Sequence, residues 1–584
     1  MTPFRSPSPK DSLTTRSWSA PLSRAASLLG ATVTQPVGPP PIDLLGPPAA
    51  QRPARHRATA PTPRLAVTAA ALIALLLLSL WLRTRWISAY FWIDEGLSVG
   101  ISSHHLTAIP GVLRQDGSPP LYYLILHVWT GAVGHSEAAT HFLSVLIGLL
   151  TVPAALWAGR SLFGTRCGWF CAALAATDPF LTSYAQETRM YELVALLSLL
   201  ACVAFVRAFL FSDRRYVAPL ALTLAALLYT HNWGIFLLAA MVGTTGVLLL
   251  RPDLTGLPFA AGRRRRVLID GVLAFGGAAL LFAPWVPTLL YQSAHTGAPW
   301  ALAPTWRAAE QIPLALLGGA VAAVLTLITG GVGLYAGLRR GPQPRLAAAR
   351  ALALVLVLTV AGAWSFSKLS PAWANRYFAI FLGPFLLLVA FGLAQIPQRL
   401  GRPRPIGVAA MAALGLLWVA GARTPPRAFK SNVAPVAARV GPALRPGDVV
   451  FDTHPEEVPV IVRYMPPGLR YATPLGPVAD PRFMDWRDAL TRLRASRVTN
   501  SLAPLVRSLA PGARLVFIQP VINGVNPWRA PWTHLVKVRS TEWSRALAAD
   551  PALVRLSVAP RARHVYAQVP VRATVFEKRG SGSP

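Results

Sequence analysis

Charged residues are scarce in this chain. Only 14% of its 584 residues are Asp, Glu, Lys or Arg, whereas a soluble domain averages about 25%. Acidic residues are fewer than basic ones, 23 against 56, which gives a formal net charge of +33. The basic residues lie mainly between apolar runs rather than in one tract. This placement is typical of cytoplasmic loops and of contact with anionic membrane lipids, and it argues against a nucleic-acid partner.

Cysteine is also nearly absent. The three cysteines, Cys167, Cys171 and Cys202, all fall inside apolar runs, so no disulfide framework is available to the C-terminal part of the chain. Cys167 and Cys171 would share a helix face, but no His or third Cys stands near them to complete a tetrahedral metal site. We interpret all three as small buried residues.

Long apolar runs, by contrast, are abundant, and hydrophobic residues make up 53% of the chain. A run of about 20 apolar residues is long enough to cross a membrane. The sequence therefore predicts an all-α polytopic membrane protein of about eleven transmembrane helices. The predicted spans are residues 65–82, 141–162, 167–185, 190–211, 216–230, 233–250, 267–291, 312–338, 349–366, 377–396 and 405–421.

Residues 1–64 are rich in Pro, Ser, Ala and Arg and show no sustained apolar period, which predicts a disordered cytoplasmic tail. Because the run 65–82 lies far from the N-terminus, we expect a permanent first helix rather than a cleaved signal peptide. The transmembrane domain is then 65–422, with a large first outer loop at 83–140.

Thirteen apolar residues, 121–133, are too few for an ordinary crossing. If this segment does not cross, the arginine-rich loops lie on the same side as the N-terminal tail, as the positive-inside rule requires. We therefore place it on the outer surface. The expected protein is a multi-pass plasma-membrane protein with a cytoplasmic N-terminus, and residues 423–584 form an extracytoplasmic domain.

Residues 423–584 contain short apolar runs typical of strands, VVF at Val449, RLVFIQPVI at Arg514 and ATVFEK at Ala573. Helical patterns at 485–494 and 541–549 lie between them. The alternation predicts a small α/β domain.

Two acidic residues, Asp94 and Glu95, stand together in the segment FWIDEG, about a dozen residues beyond the first helix. Adjacent carboxylates near an apolar boundary suit a catalytic base, because desolvation and mutual repulsion hold one pKa up. A solvated loop that tolerates any charge is the other reading. In SYAQETRMYEL, Arg189 could pair with a phosphate, or it could neutralise Glu187 or lipid head groups.

Five segments, in this order, resemble the bacterial branch of the GT-C glycosyltransferases, family 39 and its RgtA/B/C/D-like relatives. They are FWIDEG, SPPLYYLILHVW, YAQETRMYEL, LYTHNWG and ANRYFAIFLGPFLLLVAFGL, and the resemblance covers residues 65–421. It implies a membrane enzyme that takes a sugar from a polyprenyl-phosphate carrier, with Asp94 and Glu95 at the catalytic centre. Relatives usually have an arginine where this chain has His141, so that contact is weaker here or comes from elsewhere.

The residue inventory suits such a transfer. A sugar phosphate carries a good leaving group, so one base suffices to deprotonate a hydroxyl on a glycan, lipid or protein acceptor. The expected donor-phosphate ligands are Arg189, Arg376 and Lys368, and further cavity candidates are Asp116, Glu187, Tyr191 and His231. No cofactor is expected, and a divalent metal is not indicated, because no second acidic cluster with metal-ligand spacing stands beside Asp94.

A lipid or sugar transporter or flippase is the alternative. Transport folds tend to show internal repeats and mid-membrane polar residues, and this sequence shows no repeat. A membrane scaffold that presents the C-terminal domain is a third reading, under which the acidic pair would be replaceable.

Overall fold

The computed structural model describes residues 63–251, 261–339, 344–395, 405–522, 528–561, 565 and 567–580. The predicted disordered tail, 1–64, lies outside the described residues except for its last two positions. The apolar part of the chain is mainly helical. Its helices are α1 (Pro63–Thr84), α2 (Ile93–Ser102), α3 (Ile109–Asp116), α4 (Leu121–Val133), α5 (Glu137–Phe163), α6 (Thr165–Thr177), α7 (Pro179–Tyr184), α8 (Tyr191–Phe205), α9 (Val217–Thr230), α10 (Gly234–Leu250), α11 (Ala261–Gly271), α12 (Gly277–Phe282), α13 (Val286–His295), α14 (Trp306–Leu317), α15 (Ala320–Thr326), α16 (Val332–Leu338), α17 (Pro344–Leu369), α18 (Leu382–Gln395) and α19 (Ile406–Gly421).

Several of these helices continue into one another through short 3₁₀ or π turns. Within the described residues, seven helical stretches are long and apolar enough to cross a membrane, so the chain is a multi-pass membrane protein. The predicted count of about eleven spans is not confirmed, because four of the predicted spans correspond to shorter helices of 13 to 17 residues, α6, α9, α10 and α19. The seven stretches are Ala66–Thr84, Glu137–Phe163, Tyr191–Leu210, Gly262–His295, Ala320–Leu338, Pro344–Leu369 and Asn375–Gln395.

Two predicted spans are each broken in the structure. The run 167–185 divides into α6 and α7 at Asp178, whose Oδ1 accepts a hydrogen bond of 3.1 Å from the Leu181 backbone N–H and so caps α7. Pro179 follows and has no N–H to continue α6. The run 312–338 breaks at Gly318 and Gly319, whose φ angles of 73° and 128° are outside the helical range.

The C-terminal residues fold around a six-stranded mixed sheet, which confirms the mixture of strands and helices predicted for residues 423–584. Its order is β3-β2-β1-β4-β6-β5, and β1 is parallel to both β2 and β4. The three predicted strands are β1, β4 and β6. The strands are β1 (Val449–Asp452), β2 (Arg470–Thr473), β3 (Gly476–Val478), β4 (Arg514–Pro520), β5 (Leu553–Ala559) and β6 (Val571–Lys578); the helices are α20 (Val433–Val440), α21 (Val458–Tyr464), α22 (Ala489–Ala495), α23 (Ala503–Arg507) and α24 (Pro531–Ala549).

The carboxyl end of β1 faces the first loop of the transmembrane part. The chain leaves β1 through a 3₁₀ turn into α21, and both the turn and α21 pack against α2. Tyr464, at the end of α21, accepts a hydrogen bond of 2.9 Å from the Phe91 backbone N–H and donates one of 2.8 Å to Glu137. The sheet domain therefore lies directly against the helix that carries the acidic pair.

Candidate active site

Helix α2 places the two acidic residues in its first turn. Successive residues of an α-helix are rotated by about 100° around its axis, so neighbouring side chains face different surroundings. Asp94 and Glu95 accordingly point to separate sets of partners. The two adjacent acidic residues therefore belong to two separate sites.

Asp94 faces two arginines from distant parts of the chain. Its Oδ2 lies 3.3 Å from Arg376 Nε and 3.8 Å from Arg189 Nη2, and 13% of the Asp94 side chain is exposed. Arg189 Nη1 also donates to the Asp94 carbonyl oxygen at 3.2 Å and to Ser98 Oγ at 3.0 Å. These bonds fix one guanidinium along α2 and leave the Asp94 carboxylate between two cations.

Glu95 is completely buried and fully engaged. Its Oε1 accepts hydrogen bonds from Lys430 Nζ at 2.8 Å, the Thr188 backbone N–H at 2.9 Å and His141 Nε2 at 2.5 Å. Burial alone would raise the pKa of Glu95, but the charges of Lys430 and His141 outweigh it and lower the pKa to about 2. Glu95 is therefore an ionised anchor inside the protein. Lys430 supplies a cation beside His141.

Aromatic rings surround the two arginines. The Arg376 guanidinium lies 4.8 Å from the centre of the Trp300 ring and 5.4 Å from that of Tyr377, and Arg189 lies 5.7 Å from that of Tyr191. The His231 ring is 4.7 Å from that of Tyr377. Such rings exclude water and present their electron-rich faces to cations.

The His231 imidazole is held neutral. Its Nδ1 accepts a hydrogen bond of 3.1 Å from the Trp233 backbone N–H. Burial and the charges of Arg189 and Arg376 lower the pKa of His231 to about 3. A neutral imidazole beside two guanidiniums adds no charge to the site, but its other nitrogen can still donate a hydrogen bond.

Two further carboxyl groups complete the surroundings of Asp94. Burial raises the pKa of Asp116, at the end of α3, to about 6, while the Ser118 hydrogen bond and Arg189 act in the opposite direction. Burial raises the pKa of Glu187 to about 8, against the charge of Lys430. Glu187 Oε2 has no hydrogen-bond partner within the described residues.

The structure thus brings most of the predicted site residues into one neighbourhood. Lys368 is the exception, since its side chain is exposed and its Nζ lies 5.1 Å from the centre of the Trp364 ring. Sequence reasoning missed Lys430 and Trp300. The rarity of lysine is the one signal that could have drawn attention to Lys430, because the basic residues of this chain are almost all arginine. The only lysines are Lys10, Lys368, Lys430, Lys537 and Lys578. Among the residues that the structure describes, no three His, Cys, Asp or Glu side chains are grouped as metal ligands.

Comparison with known proteins identifies the architecture. No family model matches this chain, and no curated protein matches it by sequence. ArnT from Cupriavidus metallidurans in the apo state is similar in structure, at 13% identity and a TM-score of 0.58, covering 88% of this chain and 98% of that one. ArnT bound to undecaprenyl phosphate gives 12% identity, a TM-score of 0.55 and coverages of 90% and 100%.

The archaeal oligosaccharyltransferase AglB from Archaeoglobus fulgidus, in complex with an inhibitory peptide and a dolichol-phosphate, is a further structural neighbour. It shares 11% identity at a TM-score of 0.50, over 77% of this chain and 69% of that one. Identities this low establish the fold alone. The chain has the fold of the GT-C glycosyltransferases.

Proposed function

We propose that this chain is a membrane glycosyltransferase that transfers a sugar from a polyprenyl-phosphate donor to an acceptor hydroxyl on the extracytoplasmic face. The observation that carries the proposal is the Asp94 carboxylate held within 4 Å of both Arg376 and Arg189. This arrangement combines a proton acceptor with cations that bind a phosphate. Sugar transfer from a lipid phosphate needs both the base and the cations.

The two arginines form the donor-phosphate site. Arg376 Nε lies 3.3 Å from Asp94 Oδ2, yet it has no hydrogen-bond partner within the described residues. Guanidinium groups bind phosphate oxygens in a bidentate manner. ArnT was solved with undecaprenyl phosphate and AglB with a dolichol-phosphate, which supports the same class of donor here. Asp94 occupies the side of the arginines for which a donor phosphate would compete.

The transfer forms one bond and breaks one bond at the anomeric carbon. The acceptor oxygen attacks that carbon as its proton passes to the Asp94 carboxylate. The bond from the anomeric carbon to the phosphate oxygen breaks, and the polyprenyl phosphate leaves with the electron pair. Arg376 and Arg189 stabilise the charge that develops on the departing phosphate. No protonated general acid is required, because the phosphate is a good leaving group.

Glu95 supports this chemistry without taking the proton itself. A carboxylate that already accepts from Lys430, Thr188 and His141 has little capacity left to take an acceptor proton. We assign it the role of holding α2, with Asp94 as the base. Lys368, which is exposed, is the next phosphate ligand to test if the two arginines fail.

Activity of the purified protein against a panel of polyprenyl-phosphate sugars tests the proposal. Release of the lipid phosphate and transfer of the sugar to a hydroxyl acceptor are the expected results with at least one donor, and both should be lost in Asp94→Asn. Movement of an intact lipid-linked sugar across a vesicle membrane, without release of the phosphate, would instead establish the transporter reading.

A further inference from the structure

Helix α2 is enclosed by its neighbours, because each of its ten residues is buried or partly buried. Asp94 and Ser98 face Arg189, while Leu97 belongs to an apolar cluster with Trp486 and Trp532 of the C-terminal domain. A helix of ten residues has little stability of its own in water. Its orientation therefore depends on these external contacts.

Two glycines let the C-terminal domain approach α2 closely. A Cβ atom at Gly96 would lie 2.6 Å from Val460 Cβ, and one at Gly100 would lie 1.9 Å from the Arg482 carbonyl oxygen. The contact continues one turn further, where His104 Nε2 lies 2.8 Å from Asp480 Oδ2. The C-terminal domain thus packs along the length of the helix.

Lys430 extends the contact of the C-terminal domain to the N-terminal end of α2. Its side chain is 2% exposed, and its Nζ donates to Glu95 Oε1 at 2.8 Å, to Glu95 Oε2 at 3.0 Å and to the Gln186 carbonyl oxygen at 2.7 Å. A compact ammonium with three donors suits three converging oxygens. Since a buried charge without its partner is strongly unfavourable, neither Lys430 nor Glu95 can leave this arrangement alone.

We propose that Lys430 is a positioning residue that fixes the rotation of α2 and thereby holds Asp94 against Arg376 and Arg189. The inference rests on the proposed function and deepens it, because it assigns the C-terminal domain a part in the same site. Glu95 follows Asp94 directly, so any rotation that releases Glu95 also swings the Asp94 carboxylate away from the guanidiniums. Displacement of a reacting group by about 1 Å can lower turnover about 10²-fold.

The test compares Lys430→Met with Lys537→Met, the same substitution at an exposed lysine of α24. We expect Lys430→Met to lower kcat about 10²-fold, and Lys537→Met to leave it unchanged. The affinity for undecaprenyl phosphate should fall in neither variant, because the arginines that bind it lie on other segments. Hydrogen exchange should show lost protection in α2, with protection kept in β1 and β4.

The double variant Glu95→Gln with Lys430→Met removes both charges and leaves neither unpaired. Its loss in kcat should be smaller than the product of the two single losses. Multiplicative losses would overturn the proposal, as would an unchanged kcat in Lys430→Met. Lost protection throughout β1 and β4 would show a merely structural role, and a parallel loss of lipid-phosphate binding would place Lys430 on the donor.

The exchange measurement separates this inference from the proposed function. If wild-type protein transfers no sugar from any donor, the proposed function fails, yet the protection of α2 in Lys430→Met still decides whether Lys430 fixes that helix. Retained protection would then overturn the positioning role on its own.

Discussion

Replacement of Asp94 by Asn should change donor binding and turnover in opposite directions. Asp94 Oδ2 lies 3.3 Å from Arg376 Nε and 3.8 Å from Arg189 Nη2. At an effective dielectric constant of about 20, charges at such distances attract by roughly 4 to 5 kcal/mol each, before the cost of desolvation. A donor phosphate must compete with that attraction. Most of it is recovered as the phosphate takes the place of the carboxylate, so we expect a gain in donor affinity of only about tenfold, or ~1.4 kcal/mol.

Turnover should fall because the amide cannot accept the proton. Loss of a general base typically lowers the rate by about 10²- to 10⁴-fold. Binding of undecaprenyl phosphate to protein in nanodiscs and single-turnover release of lipid phosphate measure the two effects separately. Asp488→Asn, at a side chain that is 59% exposed, is the matched control. Turnover of Asp94→Asn within threefold of wild type, or weaker donor binding, would refute this reasoning, and loss of activity only in Glu95→Gln would exchange the two roles.

Three further predictions follow from the charges around Asp94. Arg376→Ala and Arg189→Ala should each weaken undecaprenyl phosphate binding about tenfold or more, measured in the same nanodiscs; full affinity in both single variants and the double variant would remove them from the site. Because the pKa of Glu95 is lowered to about 2 from an ordinary 4.5, its stabilisation is present above pH 4.5 and is lost as the pH falls toward 2. The melting temperature of wild type should therefore exceed that of Glu95→Gln most above pH 4.5, and a constant difference down to pH 3 would contradict this. The pKa of Asp116 is raised to about 6, so its ionisation destabilises the folded state, and Asp116→Asn should raise the melting temperature above pH 6 but not below pH 4.

Apolar length predicted the main helices well and their interruptions poorly. The runs 65–82 and 349–366 lie within α1 and α17, because an apolar stretch in a membrane must satisfy its backbone internally. Mean hydropathy over a long segment hides the effect of single residues, so hydropathy alone places Asp178 inside a span. A polar side chain that caps the next helix and a proline without an N–H were enough to end α6 there.

The sequence predicts some residues of the candidate site but not others. The residues that it does not predict come from distant parts of the chain. FWIDEG and YAQETR stand out as polar segments at the ends of apolar runs, which led to Asp94 and Arg189. Lys430 has no such local pattern. Its partner Glu95 is 335 positions away, and only the folded C-terminal domain brings the two together. The glycines at 96 and 100 are spaced for a close helix contact, but the sequence does not say that α2 is a helix.

The separate environments of the two acidic residues follow from that helix. In a loop, adjacent carboxylates would share one solvent-facing surface and repel each other. On α2 they diverge by about 100°, so one can be enclosed while the other stays open. Glu95 Oε1 accepts three hydrogen bonds, whereas Asp94 Oδ2 has no hydrogen-bond partner within the described residues. An anchoring carboxylate needs all of its hydrogen bonds satisfied, and a base needs an oxygen that can still accept one. The helix therefore allows one dipeptide to supply both, with the anchor setting the direction of the base.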